Sequence, residues 1–215
     1  MITVRSEKIP IGKSERTFVD IARRAQLVEC AIDAIAELGL PKASLAEVAK
    51  RAGVTKTTIL YHFASREELI HEVFASVLRQ GAEFMAERTT SGQSAGAELQ
   101  TYIEANVAYI DMHRKQVRVL TAIAMNFTDV DGRTRLPHDA SVYGTSLAPL
   151  QAILERGQRA GEFRDFSTRT MAMTVRAAID VIGPQLSVIP DLDLDAYVRD
   201  LVSLFRHATT KEAMP

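Results

Sequence analysis

Apolar residues in this 215-residue chain return every third or fourth position almost from end to end. That is the period of a helix with one buried face, and strand-like alternation is scarce. Ile21, Ala25, Val28, Ile32 and Ile35 mark the first such face, and Gly39 with Pro41 closes it. Ser44 opens a second helix, and Glu47 three residues on completes a capping box. Its apolar positions Leu45, Val48, Ala49 and Ala52 stop at Gly53. Thr55 caps a third, short helix that runs to about Phe63. Ser65, followed by Glu67 and Glu68, starts a fourth with acids at the positive end of its dipole. That helix carries Leu69, Val73, Phe74, Val77 and Leu78 and runs to about Glu87, before the break "TTSGQSAG" at 89–96. Further helices are predicted at about 96–113, 115–127, 142–160, 167–187 and 193–209, with a polar loop at 128–140. The expected fold is all-α, with no internal repeat.

Composition narrows the class. Hydrophobic residues are 47% and charged residues 25%, as in an ordinary globular protein. No apolar run approaches 18 residues and the first residues lack a signal-peptide core, so a cytoplasmic protein is expected. A single cysteine, Cys30, excludes an internal disulfide and every multi-cysteine metal site, and its place on an amphipathic helix makes it a packing residue. The five histidines are scattered, and there is no His-Glu-x-x-His, phosphate-binding glycine loop or Gly-x-Ser-x-Gly. No catalytic residue, metal or cofactor is therefore expected.

The net charge of −1 conceals an asymmetry. The first 66 residues hold eleven Lys/Arg against seven Asp/Glu, and the remainder is acidic. A basic front end with an acidic body suits a chain with two roles.

The helices at 44–52 and 55–63 are joined by a short turn containing Gly53, the layout of a helix-turn-helix. Ala49 is small where two helices must cross, and Gly53 can take the left-handed conformation that such a turn needs. Val48, Ala52, Val54 and Ile59 fall where the pair would pack on the first helix. Thr55, Lys56, Thr57, Thr58, Tyr61 and His62 are left for the outer face of the second. Threonine hydroxyls donate to phosphates or bases, Lys56 neutralises a phosphate, and Arg66 adds a forked donor. Phe63 is assigned to the core.

"SLAEVAKRAGVTKTTILYHFASREELI", together with the preceding "RRAQLVECAIDAIAELGL", resembles the DNA-binding region of the TetR family of bacterial transcriptional regulators. The shared features are a Gly-Val-Thr turn, a Tyr-His-Phe end and a Ser-Arg-Glu-Glu-Leu start to the next helix. The resemblance implies that Thr55 to Thr58 face the major groove. It implies further that Tyr61, His62 and Arg66 contact backbone or nearby bases, and that Ser44 touches phosphate at its helix N-terminus. Two positions depart from the family pattern: Leu60 stands where tyrosine is frequent, and Thr57 where glycine is frequent. Lys8, Lys13 and Arg16 form a basic arm, with Arg23 and Arg24 close by.

The implied organisation is a flexible arm at 1–20, a helix-turn-helix domain at 21–66, and a helical ligand-binding and dimerisation domain at 67–215. On the helix at 96–113, Tyr102, Asn106, Tyr109 and His113 recur beside the apolar stripe and are candidates to line a pocket, with Met125, Phe127, Met171, Val175 and Arg176. Arg176 and Asp180 have the spacing of a helix-surface ion pair. The apolar stripes Met171, Val175, Ala178, Ile179 and Ile182, then Tyr197, Leu201, Leu204, Phe205 and Ala208, are expected to build an intersubunit bundle. The resemblance thus implies a homodimeric repressor on a palindromic double-stranded DNA operator, released by a small-molecule effector. The competing reading is a helical protein-interaction adaptor that keeps a helix-turn-helix without reading DNA.

Overall fold

The computed structural model describes residues 13–88, 93–126 and 140–211, with side chains from 18 to 88, 93 to 126 and 147 to 211. Among the described residues there are ten α-helices, a single 3-10 turn and no strand. The helices are α1 (Lys13–Leu38), α2 (Leu45–Ala52), α3 (Lys56–His62), α4 (Arg66–Arg88), α5 (Ala95–Met112), α6 (Arg114–Asn126), α7 (Ala140–Arg159), α8 (Thr168–Asp180), α9 (Ile182–Val188) and α10 (Leu194–Thr209), with the 3-10 turn at Leu40–Lys42. The chain divides into two compact units within α4, Met1–Val73 and Phe74–Pro215. Lys8, Phe127 and the loop predicted at 128–139 lie outside the described residues.

In the first unit, α1 begins at Lys13 and so takes in residues assigned to the arm. Its buried face keeps the predicted positions Val28, Ile32 and Ile35 but begins later than predicted. Ile21 and Ala25 are exposed, whereas Leu27, Val28, Ala31, Ile32, Ala34 and Ile35 are buried. Phe18 and Val19 are exposed too, so the first turns of α1 have apolar side chains without a covered face. The core continues through Leu45, Val48 and Ala49 of α2, Ile59 and Phe63 at α3, and Leu69, Ile70 and Val73 in the opening turns of α4. Those last three residues draw α4 into the first unit beyond position 66. Cys30 is half-buried, and burial followed by the charge of Asp33 pushes its thiol pKa up, away from reactive thiolate.

The second unit has one apolar core built from α5, α7, α8, α9 and α10, centred on Leu99, Ile103, Leu150, Leu154, Val175 and Ile179. The helix expected at 167–187 is two helices, α8 and α9, separated at Val181. Pro184 explains the break: it has no N–H to bond the carbonyl four residues back, and its ring crowds that turn. Gly183 beside it lets α9 approach α6 closely, since a β-carbon there would lie 2.8 Å from Val117 Cγ1. Val175, Ile179, Ile182, Leu201 and Phe205 are buried within the unit, so they cannot supply the intersubunit surface assigned to them. Among the described residues, the exposed apolar side chains of the last helices are instead Met173 and Ala177 of α8, Val181 at its end, Val188 and Ile189 at the end of α9, and Leu204 of α10.

Candidate nucleic-acid interface and effector site

The α2–α3 connection follows from three residues. Ser44 Oγ accepts from the Glu47 N–H at 3.2 Å and starts α2. The Glu47 carboxylate does not turn back to close the predicted capping box. It accepts from Arg51 Nε at 3.1 Å, while Arg51 also reaches Glu37 at 2.8 Å. Gly53 ends α2 at φ 65°, ψ 32°, the left-handed cap, and Val54 N–H returns to the Ala49 carbonyl at 3.0 Å. No side chain crowds Gly53, so its backbone angle alone requires glycine. Thr55 then caps α3, its Oγ1 accepting from Thr58 N–H at 3.2 Å and lying 3.0 Å from Thr58 Oγ1.

That cap sorts the predicted contact residues. Lys56, Thr57, Leu60 and Tyr61 pair off four residues apart, 56 with 60 and 57 with 61, and are all exposed, Leu60 by 43% and Tyr61 by 76%. They form one outward face. Ile59 and Phe63, both 0% exposed, hold the other face down. Thr55 is exposed and Thr58 half-buried, with their hydroxyls engaged with each other. His62 is half-buried and meets Tyr61 edge-to-face at 5.0 Å between ring centres. Ser44 is exposed at the start of α2, its hydroxyl proton still available while its oxygen serves the cap.

Two arginines have duties inside the unit that their sequence neighbourhood did not reveal. Arg24 of α1 donates to the His62 carbonyl at the end of α3. It also pairs with Glu68 at 3.3 Å and Glu72 at 3.2 Å, and its guanidinium lies 4.1 Å from the Phe63 ring centre. Arg66, predicted as a phosphate donor, turns inward: Nε donates to the Ala43 carbonyl at 3.1 Å and Nη2 to that of Leu40. It thereby fixes the 3-10 turn leading into α2. Glu68 accepts from Ala64 N–H at 2.7 Å, and that bond, outweighing desolvation and joined by Arg24, holds its carboxyl below the usual range.

In the second unit, α5 and α8 bring together some of the predicted effector residues. Tyr102 and Asn106 are buried on α5. Arg176 of α8 donates to Asn106 Oδ1 at 2.9 Å and to the Tyr102 hydroxyl at 3.4 Å, and its Nε reaches Asp180 at 2.8 Å. The Arg176–Asp180 pair forms at the predicted spacing with Asp180 exposed, and it is also the outer end of a polar cluster reaching inward. Burial presses the guanidinium pKa down, but the hydrogen bond and charge of Asp180 outweigh it and raise the net value. A second group joins Tyr109, His113 and Phe84, with Tyr109 and His113 ring centres 4.6 Å apart and the Tyr109 hydroxyl donating to the Val77 carbonyl at 3.3 Å. Burial raises the Tyr109 pKa, so its phenol stays a donor. Val175 belongs to the core and Met171 packs against it, whereas Met125 is 71% exposed at the end of α6. Among the described residues no cluster of three metal-ligating side chains occurs.

A short, well-anchored α3 presenting an outward polar face after a left-handed glycine turn defines a helix-turn-helix DNA-binding protein. Residues 27–73 match the profile of the bacterial regulatory proteins of the tetR family. Over 192 residues the chain is 22% identical to the HTH-type transcriptional regulator BetI 1 of Chromohalobacter salexigens, spanning 87% of this chain and 95% of that one. Over 178 residues it is 26% identical to TtgR of Pseudomonas putida, spanning 78% and 81%. The fold matches the transcriptional regulator FadR of Bacillus subtilis in complex with stearoyl-CoA, with a TM-score of 0.72, 21% identity and 84% and 96% coverage. Residues 27–73 thus match the TetR-family DNA-binding region, and the chain is a DNA-binding transcriptional regulator similar to members of that family over most of its length.

Proposed function

We propose that the chain is a homodimeric, cytoplasmic repressor that occupies a palindromic operator and leaves it when a small effector binds the second unit. It performs no catalysis in this reading. Residues 21–66 with the opening of α4 read DNA, and the remainder of the chain binds effector and partner. The carrying observation is the outward face of α3, where Lys56, Thr57, Leu60 and Tyr61 stand clear of the core.

Lys56 and Tyr61 suit phosphate contacts, and Thr57 with Leu60 suits the hydroxyl-and-methyl reading of base edges. Ser44 and His62 border that face. The Thr55 and Thr58 hydroxyls first hold the cap and contact DNA only as a pair, while Arg66 acts by positioning. The exposed Met173 and Ala177 of α8, Val181 at its end and Leu204 of α10 support a two-fold interface through the last helices. Such a dimer sets its recognition helices about 34–36 Å apart, one turn of DNA.

The effector reading rests on Tyr102, Asn106 and Arg176, whose bonds to one another can be exchanged for bonds to a ligand. FadR of B. subtilis, which shares the fold, was solved with stearoyl-CoA and so holds a ligand of its own. An effector that prefers a conformer with the wrong helix spacing by about 1–3 kcal/mol weakens operator binding roughly 5–150-fold.

Selection of genomic fragments with purified protein tests the reading. It should enrich one palindrome, bound at least about 10³-fold more tightly than random DNA and with a steep salt dependence. Failure to enrich any sequence would leave the adaptor reading in its place.

A further inference from the structure

Of the four exposed side chains of α3, Lys56, Thr57, Leu60 and Tyr61, only Leu60 has no hydrogen-bonding group. It is 43% exposed, while Ile59 beside it and Phe63 at the helix end are 0% exposed and fill the inner side. Arg24 already occupies the carbonyl end of the helix, at His62. Nothing in the packing of the first unit therefore requires an apolar side chain at 60. Leu60 also stands where tyrosine is frequent in the family that the sequence resembles, so a polar residue fits the position as well.

Its neighbours decide what can cover it. Lys56 lies four residues back and Thr57 three, so an ammonium, a hydroxyl and the Tyr61 phenol border the leucine. That border suits a polyanion with acceptor-rich edges better than an apolar partner. Against a phosphate, leucine would strip away water and return no hydrogen bond. Against a sugar it would meet carbons that every nucleotide carries, and so would read no sequence. In the major groove the apolar group that base edges present is the C5 methyl of thymine. Residues three apart on a helix are displaced by about 4.5 Å along its axis, close to the roughly 3.4 Å between stacked base pairs. Thr57 and Leu60 can thus meet neighbouring base pairs.

We propose that Leu60 is a specificity-determining residue that selects a thymine in each operator half-site by packing on its C5 methyl, beside the base pair met by Thr57. The inference rests on α3 being the recognition helix. Lys56 and Tyr61 hold flanking phosphates in this arrangement, and Leu60 supplies a sequence preference without any hydrogen bond. Adenine, guanine and cytosine at that position offer no methyl and lose the contact.

Selection of genomic fragments with the full-length protein supplies the operator for the test. Fluorescence anisotropy then measures binding with thymines replaced by deoxyuridine, one position at a time and in both half-sites together. Deoxyuridine lacks the methyl and keeps every hydrogen-bonding group of thymine. At one position the swap should weaken binding about tenfold, because two buried methyl groups are lost. This measurement uses the parent protein and needs no variant to fold. Leu60→Ala should bind the thymine operator about as weakly as the parent binds the deoxyuridine one, and the swap should then change its affinity by no more than about twofold. Any sensitivity owed to the Thr57 methyl would persist in that variant, so the two residues are told apart. A palindrome with no methyl-dependent position, a methyl effect of equal size in Leu60→Ala, or a Leu60→Ala loss shared equally by random DNA would each overturn the inference and leave the repressor reading standing. Failure to enrich any palindrome would overturn both.

Discussion

Arginine is used differently at two places, around α2 and α3 in the first unit and at the α5–α8 cluster in the second. In the first, Arg24 and Arg66 hold main-chain carbonyls, those of His62, Leu40 and Ala43, so each fixes the course of the backbone around α2 and α3. In the second, Arg176 holds side chains, Asn106, Tyr102 and Asp180. A carbonyl held by a guanidinium sets the position of a helix end. A side-chain amide or phenol can turn to another partner at the cost of a rotamer. The first arrangement suits a surface that must keep one shape to read DNA, and the second suits a site that must respond to what enters it.

The sharpest way to break the contrast is at the foundation of α3. Phe63→Ala should cost about 3–5 kcal/mol, because a fully buried ring leaves a cavity. Operator binding should vanish in gel shift while most helical signal in circular dichroism remains, since the second unit has its own core. Arg24→Met and Arg66→Met should each cost about 1–3 kcal/mol by leaving carbonyls without their donors. Melting temperature and DNA affinity should fall together for both. An Arg66 variant that lost affinity at unchanged stability would restore it to the role of a simple phosphate contact.

Arg176→Met is expected at the lower end of about 1–3 kcal/mol, since it leaves the Asn106 and Tyr102 polar atoms short of a partner. Its mark should be a changed effector response with operator affinity in the absence of effector kept, measured by fluorescence anisotropy. Loss of DNA binding without effector would erase the distinction between the two arginine types. Leu60→Tyr should move stability by no more than about 0.5 kcal/mol, as for an exposed site. It should raise DNA affinity by up to roughly tenfold if the new phenol gains one hydrogen bond.

The smallest effect is a titration. The Glu68 carboxyl is lowered in the folded state, so what it adds to stability is complete above the ordinary carboxylate range of about 4.3. It is lost as pH falls through the lowered folded value. Glu68→Gln should therefore melt earlier than the parent at neutral pH, and the two curves should converge in acid. A difference that persisted unchanged into acid would show that charge is not the cause.

Much of the DNA-reading unit was legible because its signals are local. Ser44, Gly53 and Thr55 act on bonds within four residues, and the sequence pattern contains both ends of each. The internal bonds of Arg24 and Arg66 were not legible for the converse reason: their partners lie 38 to 48 and 23 to 26 residues away, and a cation on a helix carries no mark of which carbonyl it will meet. The buried face of α1 was drawn too long because Ile21 and Ala25 continue the apolar spacing past the end of the covered surface. The break at Val181 had a local sign in Gly183-Pro184 that was outweighed by the continuous periodicity around it. Tyr102, Asn106 and Arg176 were each recognised as candidates, but their union spans 70 residues and more, and only the fold supplies it.

The proposed recognition helix α3 has seven residues, far too short to persist by itself in water. Its shape is lent by Ile59 and Phe63 beneath it and by Arg24 at its end, none of which lies on the outward face. Reading head and mounting are thus separate sets of side chains. Under the proposed function, exchanging Lys56, Thr57, Leu60 and Tyr61 as a cassette should retarget the protein to another operator, while a peptide copied from α3 alone would have nothing to hold it in shape.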